Sequence, residues 1–207
     1  MIKLLKKNIE VKNKIFFKSS LGNVRSLGNV QIFFVDKIIK IPQNVKINIE
    51  NQNIYFEGLL GKLSLTFTND IFFFFKKNQL ILAVNLQKNK KSILNLYNKL
   101  IKIKIKGVLQ GFKLNLILKG IGFKAFIENN KLLLKLGFSH NIVVPIPENI
   151  KIINQSNSLI FNSIDFIFLT QYVHYIKNFK KPEPYKGKGL LLKNEKILKK
   201  EGKKSKK

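Results

Sequence analysis

The residues best suited to chemistry lie near the carboxyl end of the chain. The stretch Lys181–Gly189 reads Lys-Pro-Glu-Pro-Tyr-Lys-Gly-Lys-Gly, and ten lysines stand against two glutamates over residues 186–207. Lysine binds phosphate as a mobile point charge, glycine lets backbone N–H groups approach phosphates, and proline prevents a helix. Tyr185 can stack on a base or sugar. The pattern predicts a rigid, extended loop that docks on phosphates, whereas residues 203–207 suit a solvated tail equally well.

No combination of residues predicts catalysis. The chain has two histidines, His140 and His174, and no cysteine, so it offers no thiolate metal site and no cluster of metal ligands. Ser139 precedes His140, but neighbouring side chains on an extended chain point apart, and a catalytic pair needs an orienting acid. The glycines at 187 and 189 lack the spacing of a P-loop. We therefore predict no enzyme, no cofactor, no metal and no small-molecule substrate.

The charge balance predicts a polyanionic partner. Lysine and arginine total 39 against 11 acidic residues, a formal net charge of +28. Such a charge is tolerated when phosphates neutralise it, so nucleic acid is the first candidate and an anionic membrane surface the second. Arg25 is the only arginine, which favours backbone contact over base reading. The excess of lysine also fits drift in an AT-rich gene, and both causes stay open. No apolar run has the ~20 residues that span a bilayer.

Alternating apolar and polar residues predict strands in both halves of the chain. Residues 89–106 are ambiguous, because isoleucines alternate with lysines at 101–105 as in a strand, while length and a helical apolar face favour a helix ended by Gly107. A second helix should begin after Asp165. Its apolar face should comprise Phe168, Leu169, Tyr172, Ile176 and Phe179.

One internal repeat predicts a duplicated fold. The segment Ile41-Pro-Gln-Asn-Val-Lys-Ile47 reappears as Ile146-Pro-Glu-Asn-Ile-Lys-Ile152. Because strands also precede a helix in each half, duplication is favoured over chance. We predict an α+β protein of two similar domains, each an antiparallel sheet packed against a helix. The predicted segments are a basic N-terminal extension at 1–34, a first domain at 35–110, a second domain at 111–189, to which the resemblance described below assigns RNA binding, and a basic C-terminal tail at 190–207.

A set of motifs follows in order along residues 35–204. These are Gly107-Val-Leu-Gln-Gly-Phe112, Gly120-Ile-Gly-Phe-Lys-Ala125, Leu136-Gly-Phe-Ser-His140, Ile146-Pro-Glu-Asn-Ile150, Lys181–Gly189 and Lys200-Glu-Gly-Lys-Lys204. Together they resemble the bacterial-type family of large-subunit ribosomal protein six. The resemblance implies a duplicated fold whose second domain docks on large-subunit rRNA near the sarcin–ricin loop and the stalk base, where translational GTPases bind. Lys124 stands where the family usually has arginine, which weakens bidentate recognition.

The resemblance also implies contacts and partners. The partners are large-subunit rRNA, neighbouring large-subunit ribosomal proteins and nearby translational GTPases, with no membrane. A peripheral membrane protein and a non-ribosomal RNA-binding regulator are weaker alternatives, since only residues 1–18 carry a basic amphipathic pattern and no stacking platform is evident. The candidate RNA-binding residues, which lie in the hairpin loop, the helix end, the signature and the tail, are Ser139, His140, Lys177, Lys180, Lys181, Tyr185, Lys186, Gly187, Lys188, Gly189, Lys199, Lys200, Lys203 and Lys204.

Composition bears on the compartment. The AT-biased residue usage, the bacterial-type motifs and the extension at 1–34 together predict a mitochondrial ribosome. A plastid or the cytoplasm of an AT-rich bacterium is the alternative. Residues 1–34 have no counterpart in the family, and we expect them to contact RNA or a neighbouring protein.

Overall fold

The computed structural model describes residues 3–4, 17–18, 33–68, 71–76, 78–85 and 91–202. The chain divides into two compact units, Met1–Gln110 and Gly111–Lys207, called here the first and second units. The candidate residues Lys203 and Lys204 lie outside the described residues, as does most of the segment 1–34. Over the part of the chain that the structure describes, neither helix combines the length and the apolar character needed to cross a bilayer.

Over its described residues, the first unit combines two mainly antiparallel sheets with one helix. One sheet has the order β1-β7-β8-β3-β2, in which only the short β2 runs parallel to its neighbour, and the other has the order β4-β5-β6. The elements are β1 (Lys3–Leu4), β2 (Phe17–Lys18), β3 (Phe33–Lys40), β4 (Lys46–Glu50), β5 (Asn53–Gly58), β6 (Gly61–Thr66), β7 (Ile71–Lys76), β8 (Gln79–Asn85) and α1 (Lys91–Gln110).

The second unit has the same layered design. One sheet has the order β13-β14-β9-β15, the other has the order β10-β11-β12, and all pairs in both are antiparallel. The elements are β9 (Phe112–Lys119), β10 (Lys124–Glu128), β11 (Lys131–Lys135), β12 (Ile142–Pro145), β13 (Lys151–Gln155), β14 (Ser158–Ser163), α2 (Phe166–Asn178) and β15 (Gly189–Leu192).

The two units confirm the predicted duplication, although the repeat used to find it is not the structural one. By topology β3 corresponds to β9, the sheet β4-β5-β6 to β10-β11-β12, the hairpin β7-β8 to β13-β14, and α1 to α2. The segment Ile41–Ile47 runs from the end of β3 into β4, but Ile146–Ile152 runs from the end of β12 into β13. Both segments form the same local turn, with Val45 N donating to Pro42 O and Ile150 N to Pro147 O. The shared letters therefore record a shared turn at two non-equivalent positions.

The first helix extends beyond its predicted end. Gly107 was expected to terminate it, but α1 continues to Gln110, and Gly111 supplies the left-handed residue with φ +68°. Gly107 is buried, and the buried Ile101, Ile105 and Val108 keep the three-and-four spacing across it. Packing of this face outweighs the intrinsic cost of about 1 kcal/mol for a glycine in a helix.

The second helix has the predicted cap and a slightly different buried face. Asp165 accepts a hydrogen bond from Ile167 N at 3.1 Å, which confirms it as the N-cap. Leu169, Val173 and Ile176 are the buried residues. The prediction was wrong to place Phe168 on this face, because Phe168 is exposed and Val173 takes the central position.

The second sheet continues past the predicted end of the domain at 189. Residues 190–192 were assigned to a basic tail, but they form most of β15, which pairs with β9. Leu190 is fully buried in a core with Leu116, Phe161 and Ile176. Alternation cannot reveal so short a strand, since Leu190-Leu-Leu192 is a uniform apolar run.

Candidate nucleic-acid interface

The end of α2 positions the first group of candidate lysines. The cap residue Phe179 donates its N–H to Ile176 O, and Lys180 N donates to Lys177 O, so the last turn tightens before the chain leaves the helix. Cations are favoured here because the helix dipole concentrates negative potential at its carboxyl end. Lys180 and Lys181 follow the cap of α2 directly. Lys181 is also the first residue of the loop Lys181–Gly189, called here the signature loop.

The signature loop is closed on itself rather than extended. Glu183 N donates to Lys188 O at 2.8 Å, Gly187 N to Glu183 O at 2.9 Å, and Leu190 N to Lys180 O at 2.9 Å. The prolines exclude a helix as expected, but the chain turns back at 184–186 instead of following an extended path. These hydrogen bonds lock both ends of the loop to each other and to the end of α2.

The two glycines of the signature loop shape it from inside. Gly187 has φ +68°, and Gly189 has φ +143°. A Cβ atom at Gly189 would lie 2.7 Å from Pro182 Cα, a distance that backbone atoms cannot accommodate. Both glycines are buried, whereas Tyr185 is 55% exposed and Lys186 is exposed. The exposed side chains of the loop are Lys181, Glu183, Pro184, Tyr185 and Lys186, and Lys188 is partly exposed.

The chain after β15 returns to the signature loop. Lys200 N donates to Pro184 O at 3.0 Å, and Lys199 Cε comes within 3.8 Å of where a Cβ would stand at Gly187. The structure thus brings Lys199 and Lys200, which are 14 and 15 positions from Tyr185 in sequence, beside that residue's loop. Residues 199–200 are exposed, so their charges add to the same surface.

Lys177 differs from the other candidates. Its Nζ lies 2.6 Å from Glu195 Oε1, and its side chain is only 16% exposed. Glu195 also accepts from Leu192 N at 3.2 Å, and the hydrogen bond from Lys177, opposed by partial burial, holds the pKa of Glu195 below its ordinary value. Lys177 therefore ties the returning segment to α2, and its charge is already neutralised within the protein.

The hairpin loop between β11 and β12 lies beside the end of α2. Lys180 Nζ sits 4.4 Å from the centroid of the Phe138 ring, a cation–π distance. The rings of Phe138 and His140 are nearly parallel, with centroids 6.2 Å apart. Ser139 and His140 are exposed, as is Phe138. The structure thus brings the two predicted loops to one end of the second unit.

A third loop, which the sequence analysis did not assign to the site, lies at the same end. Lys119 pairs in register with Gly189, and its Nζ comes within 4.0 Å of where a Cβ would stand at Gly187. The tip that follows presents Ile121, which is 91% exposed, while Gly120 packs so closely on Phe123 that a Cβ would lie 2.7 Å from the ring. Only the pairing of β15 with β9 reveals this neighbour, and β15 was not predicted.

The described residues contain no group of three or more metal-ligating side chains. The site is therefore a surface of three loops, 119–124, 137–141 and 181–189, joined by the returning residues 199–200. Its cations are lysines and its exposed rings are Phe138, His140 and Tyr185. Such a surface neutralises a string of phosphates and offers rings for stacking, without the planar forks that read bases bidentately.

The fold and the site define the class of the protein as a two-unit α+β protein whose second unit carries a lysine-rich surface at one end. Comparison with known proteins identifies the family within that class. The family model "Ribosomal protein L6" matches residues 41–111 and 119–191, one repeat in each unit. The chain belongs to the ribosomal protein L6 family.

Curated relatives agree with this assignment. The chain is 36% identical over 186 residues to the large ribosomal subunit protein uL6 of Karelsulcia muelleri, covering 87% of this chain and 98% of the relative. It is 31% identical over 170 residues to uL6 of Metamycoplasma arthritidis, covering 81% and 95%. It is 36% identical over 172 residues to uL6c of Phaeodactylum tricornutum, covering 81% and 96%.

Proposed function

We propose that the protein is a structural component of the large ribosomal subunit and that the three-loop end of its second unit docks on large-subunit rRNA. The observation that carries this proposal is the convergence of the three loops. Lys180 over Phe138 joins the hairpin loop to the end of α2, and Lys119 beside Gly187 joins the third loop to the signature loop. Family membership indicates which polyanion is bound. Curated members are named as large ribosomal subunit proteins, and the polyanion of that subunit is its rRNA.

The proposed contact is mainly electrostatic. Lys180, Lys181, Lys186, Lys188 and the returning lysines place charges along one closed loop whose shape is set by buried glycines. Each phosphate contact releases condensed counterions, so the affinity for RNA should fall steeply with salt. Tyr185 and the Phe138–His140 pair add stacking surfaces that tolerate any base. The expected behaviour is shape and backbone recognition with weak base preference.

Within the subunit, we propose docking near the sarcin–ricin loop and the stalk base, with translational GTPases as transient neighbours. The resemblance of the signature loop and the hairpin loop to those of the family supports this location. In this role the protein needs no cofactor, small-molecule substrate or membrane, and it positions rRNA without catalysing a reaction.

The principal test compares two charge reversals on the second unit. Lys186→Glu with Lys188→Glu changes the signature loop, while the control Lys113→Glu with Lys151→Glu makes the same charge change at the far end of β9. Lys113 and Lys119 are six residues apart on that strand, or about 20 Å. We expect the first variant to bind a large-subunit rRNA transcript at least tenfold more weakly, on the order of the loss of two phosphate contacts. The control should retain nearly wild-type affinity.

The salt dependence sharpens this test. Losing each phosphate contact should flatten the slope of log affinity against log salt by roughly 0.7 to 0.9. The proposal fails if the loop variant and the control weaken binding equally, because the charge would then act without a defined site. Folding of both variants is checked by thermal unfolding, since all four lysines are at least partly exposed.

The location is tested with a tethered cleavage reagent. The chain has no cysteine, so Lys186→Cys provides a unique attachment point for an iron chelate that generates hydroxyl radicals. Cleavage of large-subunit rRNA around the sarcin–ricin loop is expected. Cleavage confined to another domain of the rRNA would exclude the proposed location while leaving RNA binding intact.

We also propose that the ribosome is mitochondrial. The AT-biased residue usage and the segment 1–34, which lies outside the family match at 41–191, support this compartment over a plastid or a bacterial cytoplasm. Fractionated mitochondria and plastids can be probed with an antibody after sucrose-gradient sedimentation. The protein should sediment with mitochondrial large subunits, and its recovery with plastid subunits would contradict the proposal.

A further inference from the structure

The small sheets of the two units provide an internal comparison of one surface. The sheets β4-β5-β6 and β10-β11-β12 occupy equivalent places in the duplicated fold, and each packs one face on its own core. The core-facing side chains include Ile54 and Phe56 in the first unit and Leu132 and Leu134 in the second. Because side chains alternate along strands, the remaining positions form an outer face in each sheet.

The central row of the outer face differs between the two sheets. In the second unit Phe126 pairs with Leu133, which pairs with Val143, so three apolar side chains cross the sheet side by side. Phe126 is 39% exposed and Val143 is 53% exposed. This is called here the apolar row. The corresponding row of the first unit is Asn48, Tyr55 and Ser64, paired in the same way.

This difference shows that the fold does not require apolar residues on that face. In the first unit the exposed polar residues Asn48 and Ser64 flank the half-buried Tyr55, whereas the second unit keeps three apolar side chains there. Contiguous exposed apolar residues on one surface indicate a partner that covers them. The apolar row occupies the middle of the strands, whereas the three-loop surface lies at their ends, and Lys124 at the start of β10 borders both.

The rim of the apolar row indicates the charge of that partner. Lys124 pairs directly with Lys135, and on the other side of the row Lys131 pairs with Glu128. Like charges directly opposite on a sheet are unfavourable unless a third group neutralises them. In the first unit the position of Lys135 is held by Glu57, which forms an ion pair with Lys62 at 2.7 Å. The rim of the second unit thus carries three lysines against one glutamate, whereas the equivalent positions of the first unit carry two lysines and two glutamates.

We propose that the outer face of β10-β11-β12 binds an acidic segment of a neighbouring large-subunit protein, one that carries apolar side chains onto Phe126, Leu133 and Val143. The inference rests on the proposed place of the chain in the large subunit. A protein segment fits better than RNA, because phosphates would lose water over the apolar row without gaining donors there. The lysine rim then meets acidic side chains, and the row supplies the buried apolar contact.

The test uses the absence of cysteine from the chain. Val143→Cys is labelled with benzophenone maleimide and added to large subunits stripped of the endogenous protein by a high-salt wash. The matched control is Ser64→Cys, the equivalent position of the first unit. After irradiation, cross-linked peptides and nucleotides are identified by mass spectrometry, and the same samples are sedimented to measure incorporation.

We expect the label at position 143 to cross-link to an acidic, apolar-containing segment of another protein, and the label at 64 not to do so. Adding Phe126→Asn and Leu133→Tyr, which copies the row of the first unit, should lower this cross-link by about tenfold or more while incorporation stays unchanged. The first unit tolerates these residues at equivalent positions, and thermal unfolding checks that the second unit does too.

The outcomes separate the two proposals. If the labelled protein sediments with the subunit but position 143 cross-links to rRNA, to a basic segment or to nothing, the docking inference is overturned and the proposed function stands. If the protein does not sediment with the subunit, the proposed function is overturned and the inference falls with it. Loss of the cross-link in the Lys131→Glu, Lys135→Glu variant would confirm the acidic character of the partner segment.

Discussion

The two units share one topology and differ in the loops that connect their strands and follow their helices. In the first unit the hairpin between β5 and β6 turns tightly at 58–61, and Leu60 N donates to Val108 O near the end of α1. In the second unit the equivalent connection expands to 136–141 and carries Phe138, Ser139 and His140 beside the end of α2. The same scaffold position thus supports a minimal turn in one copy and a candidate binding loop in the other.

The ends of the two helices differ in a similar way. After α1 the chain turns at Gly111 and enters β9 of the second unit. After α2 the chain forms the signature loop and then adds β15 to its own sheet. The signature loop therefore exists because the second unit closes its sheet with a fourth strand. Because both units form the same core, a loop or face that is present in only one unit is not required for the fold. Such loops and faces are the ones to test for function.

The largest expected effect concerns β15, which follows α2 in the second unit and has no counterpart after α1 in the first unit. Leu190→Ala removes a fully buried side chain from the second core, so unfolding free energy should fall by about 3 kcal/mol. Leu198→Ala, at a residue 91% exposed in the same carboxyl segment, should change it by less than about 0.5 kcal/mol. Urea unfolding measures both. Equal effects would mean that residues 190–192 behave as a tail and that the units differ less than described.

A second prediction uses one glycine from each unit to distinguish the shape of the signature loop from the stability of the protein. Gly189→Ala places a Cβ 2.7 Å from Pro182 Cα at φ +143°, and Gly58→Ala places one 2.7 Å from Val108 O. Each should cost about 1–3 kcal/mol of unfolding free energy through strain. Only Gly189→Ala should weaken RNA binding, because it displaces the signature loop, while Gly58→Ala keeps its affinity below the unfolding temperature. A filter-binding titration at 25 °C distinguishes the two.

Much of the fold follows from local signals, and the errors share one cause. Alternation located β9 to β12, and the Asp165 cap located α2, because each depends on residues close in sequence. The end of α1, the strand β15 and the equivalence of the two units depend on contacts between distant residues. The seven-residue repeat predicted the duplication that the fold confirms, but it matched two segments that are not equivalent, since Pro42 and Pro147 set the same turn at different places in the fold.

The candidate site also contains some residues that local sequence identified and others that only contacts between distant residues reveal. Residue type and the family resemblance identified the signature loop, but Lys119 and Ile121 entered the site only through the pairing of β9 with β15. Lys177 was chosen as a contact by type, and the structure shows it paired with Glu195. Charge can be read from sequence, whereas the neutralisation of a charge requires the fold.

A smaller effect is expected where α2 is tied to β12. Tyr172 Oη donates to Pro145 O at 2.9 Å, and partial burial, with Tyr175 nearby, raises the pKa of Tyr172 to about 12. Tyr172→Phe should therefore lose about 1 kcal/mol at neutral pH. Because the folded pKa exceeds the unfolded value near 10, this contribution is complete below pH 10 and disappears as the pH rises towards 12. Unfolding of both proteins at pH 8 and pH 11.5 checks the sign.

The smallest effect concerns the ion pair between Lys177 of α2 and Glu195 of the carboxyl segment that follows β15. Glu195→Gln replaces the ion pair with Lys177 by a hydrogen bond to a neutral amide, and because both groups are partly exposed the loss should be below about 1 kcal/mol. The pKa of Glu195 is lowered in the folded state, so the stabilisation is present above the ordinary value of 4.5 and is lost as pH falls through the lower folded value. The difference between wild type and Glu195→Gln should therefore shrink between pH 6 and pH 3. A difference that persists at pH 3 would show that Glu195 stabilises the fold through packing rather than through its charge.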